Sequence, residues 1–242
     1  MGKISKQAMI LAAGYGKRMM PLTKIVPKPL VKVKKKPILH HLIDKLIKYG
    51  INEITINLHH LHHKIENLLI DNTFNLKINT IIEENLLETG GGVLNAIRKE
   101  KIGHNGRPFF VINGDILWID GGKKSIFDKM EDFWDSNKMD ILIVLIEREK
   151  LFGYEGNGDF NFLDNDSFFG NICKSKHKCK YVFSGLQLVN PDLFQGNLKK
   201  IFSLNEIFDS LIKKKKIFGL LDENRWFHIG TLKHLKRVEE FF

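Results

Sequence analysis

Cysteine is almost missing: 242 residues contain only Cys173 and Cys179. Two thiols separated by a short segment holding Lys176 and His177 make no disulfide framework, and no second pair completes a structural zinc site. Reduced thiols are the expectation. Long apolar runs are missing too. None approaches the ~20 residues of a bilayer-spanning helix, so no membrane partner is expected. The N-terminal residues 1–7 lead straight into an apolar strand without the hydrophobic region and cleavage site of a secretory leader, which makes the cytoplasm the expected location. The lysine clusters at 34–36 and 213–216 lack interleaved aromatics, so the net charge of +10 does not point to a nucleic-acid partner. It matches a chain rich in Lys, Ile, Asn and Phe, and part of it suits the handling of anionic phosphates. There is no GK[ST] ending of a P-loop and no third glycine of a dinucleotide fingerprint. A Ser-His-Asp set is not evident either.

What is present is alternation. Residues 7–13 form a short apolar run closed by Gly14, as a buried strand entering a turn would. Residues 37–49 carry apolar side chains at Ile38, Leu39, Leu42, Ile43, Leu46 and Ile47, a 3.6-residue period with Pro at the start and Gly50 at the end. A helix follows from that pattern. Strands are expected at 53–58, 77–83 and 109–113, and helices at 61–70 and 91–99. The order βαβαβαβ predicts an α/β fold: a mainly parallel sheet covered by helices on both faces, with ligands beyond the carboxyl ends of the strands. Further on, helices are expected at 125–137, 204–214 and 232–241, strands at 140–146, 183–189 and 217–221, and hairpins or loops at 152–171. No repeat or linker divides the chain, so 1–242 is expected to be a single domain.

Chemistry concentrates in four blocks. The first is Leu11-Ala12-Ala13-Gly14-Tyr15-Gly16-Lys17-Arg18, continued by Pro21-Leu22-Thr23 and Lys28-Pro29-Leu30. Small residues after a strand let backbone N–H groups approach phosphates, and Lys and Arg neutralise charge. The others are Glu88-Thr89-Gly90-Gly91-Gly92, Asn113-Gly114-Asp115, and Trp226-Phe227-His228-Ile229-Gly230-Thr231. In this order and spacing they resemble the signature of sugar-1-phosphate nucleotidyltransferases, over nearly the whole chain. Within that family the chain is most similar to the N-acetylmuramate 1-phosphate uridylyltransferase group, with mannose- and heptose-1-phosphate guanylyltransferases as the alternative.

The resemblance implies a Rossmann-like nucleotidyltransferase fold whose central sheet is mixed but mainly parallel. Residues 1–120 would hold the nucleotide and 121–242 the sugar phosphate. It implies nucleotide contacts from Leu11, Ala12, Ala13, Gly14, Gly16, Lys17 and Arg18. Gly90 and Gly91 would lie close to the base, where a Cβ would obstruct it. Arg18, Lys28 and Asp115 would be catalytic. Asn113, Gly153, Tyr154 and Gly185 would bind the sugar, together with Gly158, Asp159, Phe160 and the strand from Phe183. The implied partners are a nucleoside triphosphate and a sugar 1-phosphate, the implied cofactor Mg²⁺ or Mn²⁺, and the assembly a monomer or small homo-oligomer. Peptidoglycan recycling is the implied context.

One position departs from the family pattern. His228 stands where an Asp would serve as second metal ligand beside Asp115. Neutral imidazole is a poor Mg²⁺ ligand. The alternatives are Mg²⁺ held by Asp115 and phosphates, a shift toward Mn²⁺, a compensating carboxylate such as Asp120 or Asp222, or a weakened enzyme acting as a sensor or regulatory subunit. The histidines at 59, 60, 62 and 63 straddle a strand end and a helix start, and a rim or phosphate-adjacent role is expected of them.

Overall fold

A computed structural model describes residues 4–164, 167–196 and 198–242. Met1 to Lys3, part of the segment read for a leader, lie outside them. In chain order the strands are β1 (Gln7–Leu11), β2 (Lys32–Val33), β3 (Lys36–Pro37), β4 (Glu53–Leu58), β5 (Lys77–Ile82), β6 (Phe109–Asn113), β7 (Ile116–Ile119), β8 (Ile141–Glu147), β9 (Asn161–Phe162), β10 (Phe169–Cys173), β11 (Tyr181–Val189), β12 (Ile217–Leu221) and β13 (Arg225–His228). The α-helices are α1 (Ile38–Tyr49), α2 (His62–Asp71), α3 (Glu88–Arg98), α4 (Ile126–Phe133), α5 (Leu204–Lys213) and α6 (Leu232–Val238).

Nine strands form one sheet in the order β5-β4-β1-β6-β11-β8-β12-β10-β9. β5, β4, β1 and β6 run parallel, β11 is antiparallel to both β6 and β8, β12 is parallel to β8, and β10 is antiparallel to β12 and β9. Only β11 and β10 therefore oppose the common direction. The mainly parallel mixed sheet expected from the sequence is what the chain builds.

Period-two alternation distributes the core. Ala8 and Ile10, Phe110 and Ile112, and Leu142, Val144 and Ile146 face one apolar layer. Met9, Phe109 and Val111, and Ile141, Ile143 and Leu145 face the other. Being buried on both sides is why these strands read as continuous hydrophobic runs rather than alternating ones. On the first face, α1 buries Ile38, Leu39, Leu42, Ile43 and Leu46 and ends at Gly50, which adopts φ 90° and donates its N–H to the Ile47 carbonyl. On the second face, α3 and α5 cover the sheet with Val93, Leu94, Phe208 and Leu211.

Two departures from the sequence expectation bear on function. Helix α3 begins at Glu88 rather than at 91, so the glycine triplet is wound into its first turns. The Gly90 and Gly91 amides, which would lack intrahelical partners, both donate to the Phe202 carbonyl at 2.9 and 3.0 Å. The other is a separate two-stranded ribbon of β7 and β13, neither of which the sequence pattern announced. Its register pairs Ile116 with His228 and Trp118 with Trp226, whose rings stack with centroids 4.7 Å apart.

Candidate active site

The largest concentration of expected site residues lies beyond the carboxyl ends of β1 and β6, where parallel strands leave a crevice. This cleft has a volume of about 520 Å³. Its walls include Leu11, Ala12, Ala13, Gly14, Gly16, Lys17 and Arg18 of the glycine-rich loop. Lys28, Asn113 and Asp115 line it as well.

The loop after β1 is held in shape by its neighbours. Gly16 sits at φ 63°, and a Cβ there would stand 2.9 Å from Thr23 Cγ2. The fully buried Thr23 donates its Oγ1 hydroxyl to the Gly16 carbonyl at 2.9 Å. His60 Nε2 donates to the Thr23 carbonyl at 2.8 Å, which extends the brace to the turn after β4. Beside it, His59 Nδ1 donates to the Glu83 carbonyl at 2.7 Å. In the neutral ring that leaves His59 Nε2 as acceptor for the Tyr15 hydroxyl, 2.9 Å away. Thus two of the four clustered histidines hold the glycine-rich loop. His62 instead pairs with Glu66 on α2.

Asn57 and Glu83 escaped the sequence reading. Asn57 is the penultimate residue of β4 and lines the cleft. Its Oδ1 accepts the Ala12 N–H at 2.9 Å, and its Nδ2 donates to Glu83 Oε1 at 2.8 Å. Glu83 Oε2 in turn accepts the Leu87 N–H at 3.0 Å, just before α3. One buried carboxylate and one buried amide therefore tie the loop after β1 to the start of the glycine helix. The available signal was weak: Asn57 is one of three polar residues alternating along β4, and only its place near the carboxyl end sets it apart.

At the far side of the cleft, Lys28 Nζ lies 2.5 Å from Asp115 Oδ2, and His228 Nε2 lies 3.4 Å from the same oxygen. The ribbon produces this meeting: the Ile229 amide donates to the Asp115 carbonyl at 3.0 Å, and the His228 amide donates to the Phe152 carbonyl at 2.9 Å. Arg18 joins them, since its guanidinium is 3.4 Å from where a Gly230 Cβ would stand. Burial pushes the Asp115 carboxyl up. The contacts with His228 and Lys28 outweigh it and hold the group well below the ordinary carboxylate range.

Other expected residues are placed differently. Gly90 and Gly91 do not line the cleft; a Cβ on Gly90 would stand 2.3 Å from the Phe202 ring, and one on Gly91 2.3 Å from the Lys200 carbonyl oxygen. Their missing side chains admit the segment at 200–203 across the helix start. Gly185, at φ 95°, lies where β11 shifts register, and its missing Cβ leaves room for Asn113 Nδ2 at 3.0 Å. Gly153, at φ 84°, passes behind the His228 carbonyl oxygen, 2.4 Å from the position of a Cβ. Tyr154 accepts the Gly158 N–H with its hydroxyl at 3.0 Å. Neither Gly153 nor Tyr154 lines the main cleft. A second cavity of about 390 Å³ collects Gly158, Asp159, Phe160 and Phe183.

The two carboxylates considered as compensating ligands are engaged elsewhere. Asp120 pairs with Lys45 at 2.8 Å and accepts the Trp118 indole N–H. Asp222 is buried and accepts from Lys129 and the Trp226 indole. Among the described residues no group of three or more His, Cys, Asp or Glu side chains gathers around a metal position. One carboxylate opening on a phosphate-sized cleft nevertheless fits a divalent ion that takes most of its ligands from water and substrate phosphates.

The family model described as nucleotidyl transferase matches residues 7–161. N-acetylmuramate alpha-1-phosphate uridylyltransferase of Caulobacter vibrioides is 29% identical over 95% of this chain and 94% of its own length. The protein of the same description from Neisseria meningitidis serogroup B is 30% identical over 96% of both. Among solved structures, HddC from Yersinia pseudotuberculosis complexed with GMP-PN superposes with a TM-score of 0.75 at 25% identity, covering 98% of this chain and 99% of that one.

Proposed function

The chain belongs to the nucleotidyl transferase family, and from that premise we propose that it joins a nucleoside triphosphate to a sugar 1-phosphate, releasing pyrophosphate and forming a nucleotide sugar. The observation that carries the proposal is the cleft in which a glycine-rich loop bearing Lys17 and Arg18 faces Lys28 and Asp115. UTP and N-acetylmuramate 1-phosphate are the proposed substrates, because both uridylyltransferase relatives align over nearly their full lengths. The likeness to HddC complexed with GMP-PN favours, as a second reading, a guanylyltransferase, and heptose or mannose 1-phosphate as its substrate rests on similarity to relatives described as guanylyltransferases of those sugars.

In this reading the loop at 11–16 receives the nucleotide, and Arg18 takes the charge that develops on the leaving pyrophosphate. Lys28 neutralises the α-phosphate as an oxygen of the sugar phosphate attacks α-phosphorus in line. The bond from α-phosphorus to the bridging oxygen then breaks. No covalent nucleophile is required of the protein; positioning and charge neutralisation supply the rate. Two polyanions must share one cleft, and the three cations at its wall lower that repulsion. A divalent ion held by Asp115, proposed as Mg²⁺ or Mn²⁺, would add charge neutralisation at the phosphates. Asn113, with Gly185 beside it, is the proposed contact to the sugar. Gly153 and Tyr154 act behind it, as supports of the ribbon and the following loop.

The test is pyrophosphate release across four nucleoside triphosphates and a panel of sugar 1-phosphates including N-acetylmuramate, glucose, mannose and heptose, with Mg²⁺ or Mn²⁺. Release with UTP and N-acetylmuramate 1-phosphate is expected. Release only with GTP and a mannose or heptose 1-phosphate would establish the second reading. No release with any pair would overturn both.

A further inference from the structure

Glu88 lines the cleft, and the proposed reaction leaves it without a task. It opens α3 at φ 61°, in the left-handed region that glycine enters freely and other residues enter at a cost. Packing does not ask for its side chain. Glu88 is exposed, and among the described residues no hydrogen bond or ion pair engages its carboxylate. The rest of the helix start is committed: the Gly90 and Gly91 amides donate to the Phe202 carbonyl, and Thr89 Oγ1 accepts the Leu204 N–H at 2.9 Å. A strained non-glycine residue in a ligand cleft is a sign that its side chain is used there.

The position of Glu88 along the cleft follows from the hydrogen bonds behind it. Ala12 donates to Asn57, Asn57 donates to Glu83, and Glu83 accepts the N–H of Leu87, the preceding residue. Glu88 therefore adjoins the Leu11 to Ala13 end of the glycine-rich loop. The cations lie further on, with Lys17 and Arg18 after Gly16, and Lys28 held at Asp115. Among the described residues the cleft wall carries two acids, of which Asp115 is paired and Glu88 is not.

An unpaired carboxylate repels phosphate and offers only acceptors. What it can take up is the uncharged, hydrogen-donating part of a nucleotide. The apolar wall of Leu11, Ala12 and Leu86 suits a flat base shielded from water. A solvent-exposed acid suits the ribose, whose two adjacent hydroxyls match the two oxygens of one carboxylate. Dinucleotide sites use an acidic residue on a ribose hydroxyl in the same way.

We propose that Glu88 accepts the ribose hydroxyls of the incoming nucleoside triphosphate and makes the enzyme discriminate against nucleotides that lack them. The inference rests on the reading of the cleft as a nucleoside triphosphate site.

Calorimetry and pyrophosphate release with UTP and 2′,3′-dideoxy-UTP test it, and the guanosine pair serves if GTP is the substrate. The wild type is expected to favour UTP over the dideoxy analogue by at least about tenfold in Kd and kcat/KM, the scale of a hydrogen bond to a charged group. Glu88→Gly is expected to bring UTP down to the level of the analogue, and to leave the analogue unchanged. Glycine adopts this φ without strain, so that variant should melt no lower than the wild type. Glu88→Asn, shorter and uncharged but common in the left-handed region, is expected to show the same selective loss. Discrimination that persists in both variants, or an equal loss for UTP and the analogue, would overturn the proposal. So would a wild type that binds both alike while releasing pyrophosphate from UTP, a result that leaves the proposed reaction standing. Neither binding nor release with any triphosphate would overturn both.

Discussion

Lys28 and Asp115 are bound to each other at 2.5 Å, with side chains 12% and 24% exposed. The lowered Asp115 carboxyl means that this pair also steadies the folded state at neutral pH, where the carboxylate is charged. In the proposed reaction each group would meet a phosphate or an ion. Lys28→Ala and Asp115→Asn are each expected to lower kcat/KM by at least ~10²-fold, the scale for losing one preorganised electrostatic contact. Urea midpoints should also fall, because each change leaves a largely buried partner without its opposite charge. Turnover that survives either change would remove that residue from the reaction. Asn57 is the opposite case, being 3% exposed and bonded at both ends. Asn57→Ala leaves the Ala12 N–H and Glu83 without this partner, at a cost of about 1–3 kcal/mol in stability. Urea unfolding of that variant is the check, and an unchanged midpoint would show that water replaces the amide.

Among elements, the glycine-rich loop depends on the turn after β4 for its shape. His60 holds the Thr23 carbonyl, Thr23 holds the Gly16 carbonyl, and Tyr15 is held by His59. Loss of one link should let the loop sample geometries in which fewer backbone N–H groups converge on phosphate. His60→Ala is therefore expected to raise KM for the nucleoside triphosphate severalfold, with a smaller effect on kcat. Steady-state kinetics with saturating sugar phosphate separate the two. A fall in kcat alone would mean that the clamp does not position the nucleotide.

On the scale of the whole molecule, the two ends of the sheet are built differently. The carboxyl ends open on the cleft, while the amino-terminal end is closed by a polar network at Glu53, where Lys77 lies at 2.7 Å, the Gln7 amide at 2.7 Å and the Asn79 amide at 2.9 Å. Burial raises the Glu53 carboxyl. Lys77, Gln7 and Asn79 together outweigh it and bring it down to about 2. Its contribution to stability is thus complete above the ordinary value of 4.5 and is lost as pH falls through about 2. Glu53→Gln should be less stable than wild type by about 1 kcal/mol at pH 7. That difference should shrink between pH 4.5 and 2, as read by urea unfolding across this range. A difference independent of pH would mean that geometry, not charge, is responsible. No helix among the described residues is long and apolar enough to cross a membrane.

Local pattern determined much of this protein by itself. The 3.6-residue period of α1 with its terminal Gly50, the buried runs of β1, β6 and β8, and the βα alternation follow from steric and hydrophobic rules that act over a few residues. Motif order was equally legible: the glycine-rich loop, Lys28, Asn113 and Asp115 stand out as ordered blocks of the sequence, and they line one cleft. Tertiary structure decided what depends on distant pairing. The ribbon of β7 and β13 joins segments more than a hundred residues apart and sets His228 against Asp115, which no periodicity encodes. It also decided that Gly90 and Gly91 make room for residues 200–203 rather than lining the cleft, and that Asn57 and Glu83 link two loops. A glycine reports only that space is needed at its Cβ, and the chain that occupies this space is chosen by packing across the whole sequence.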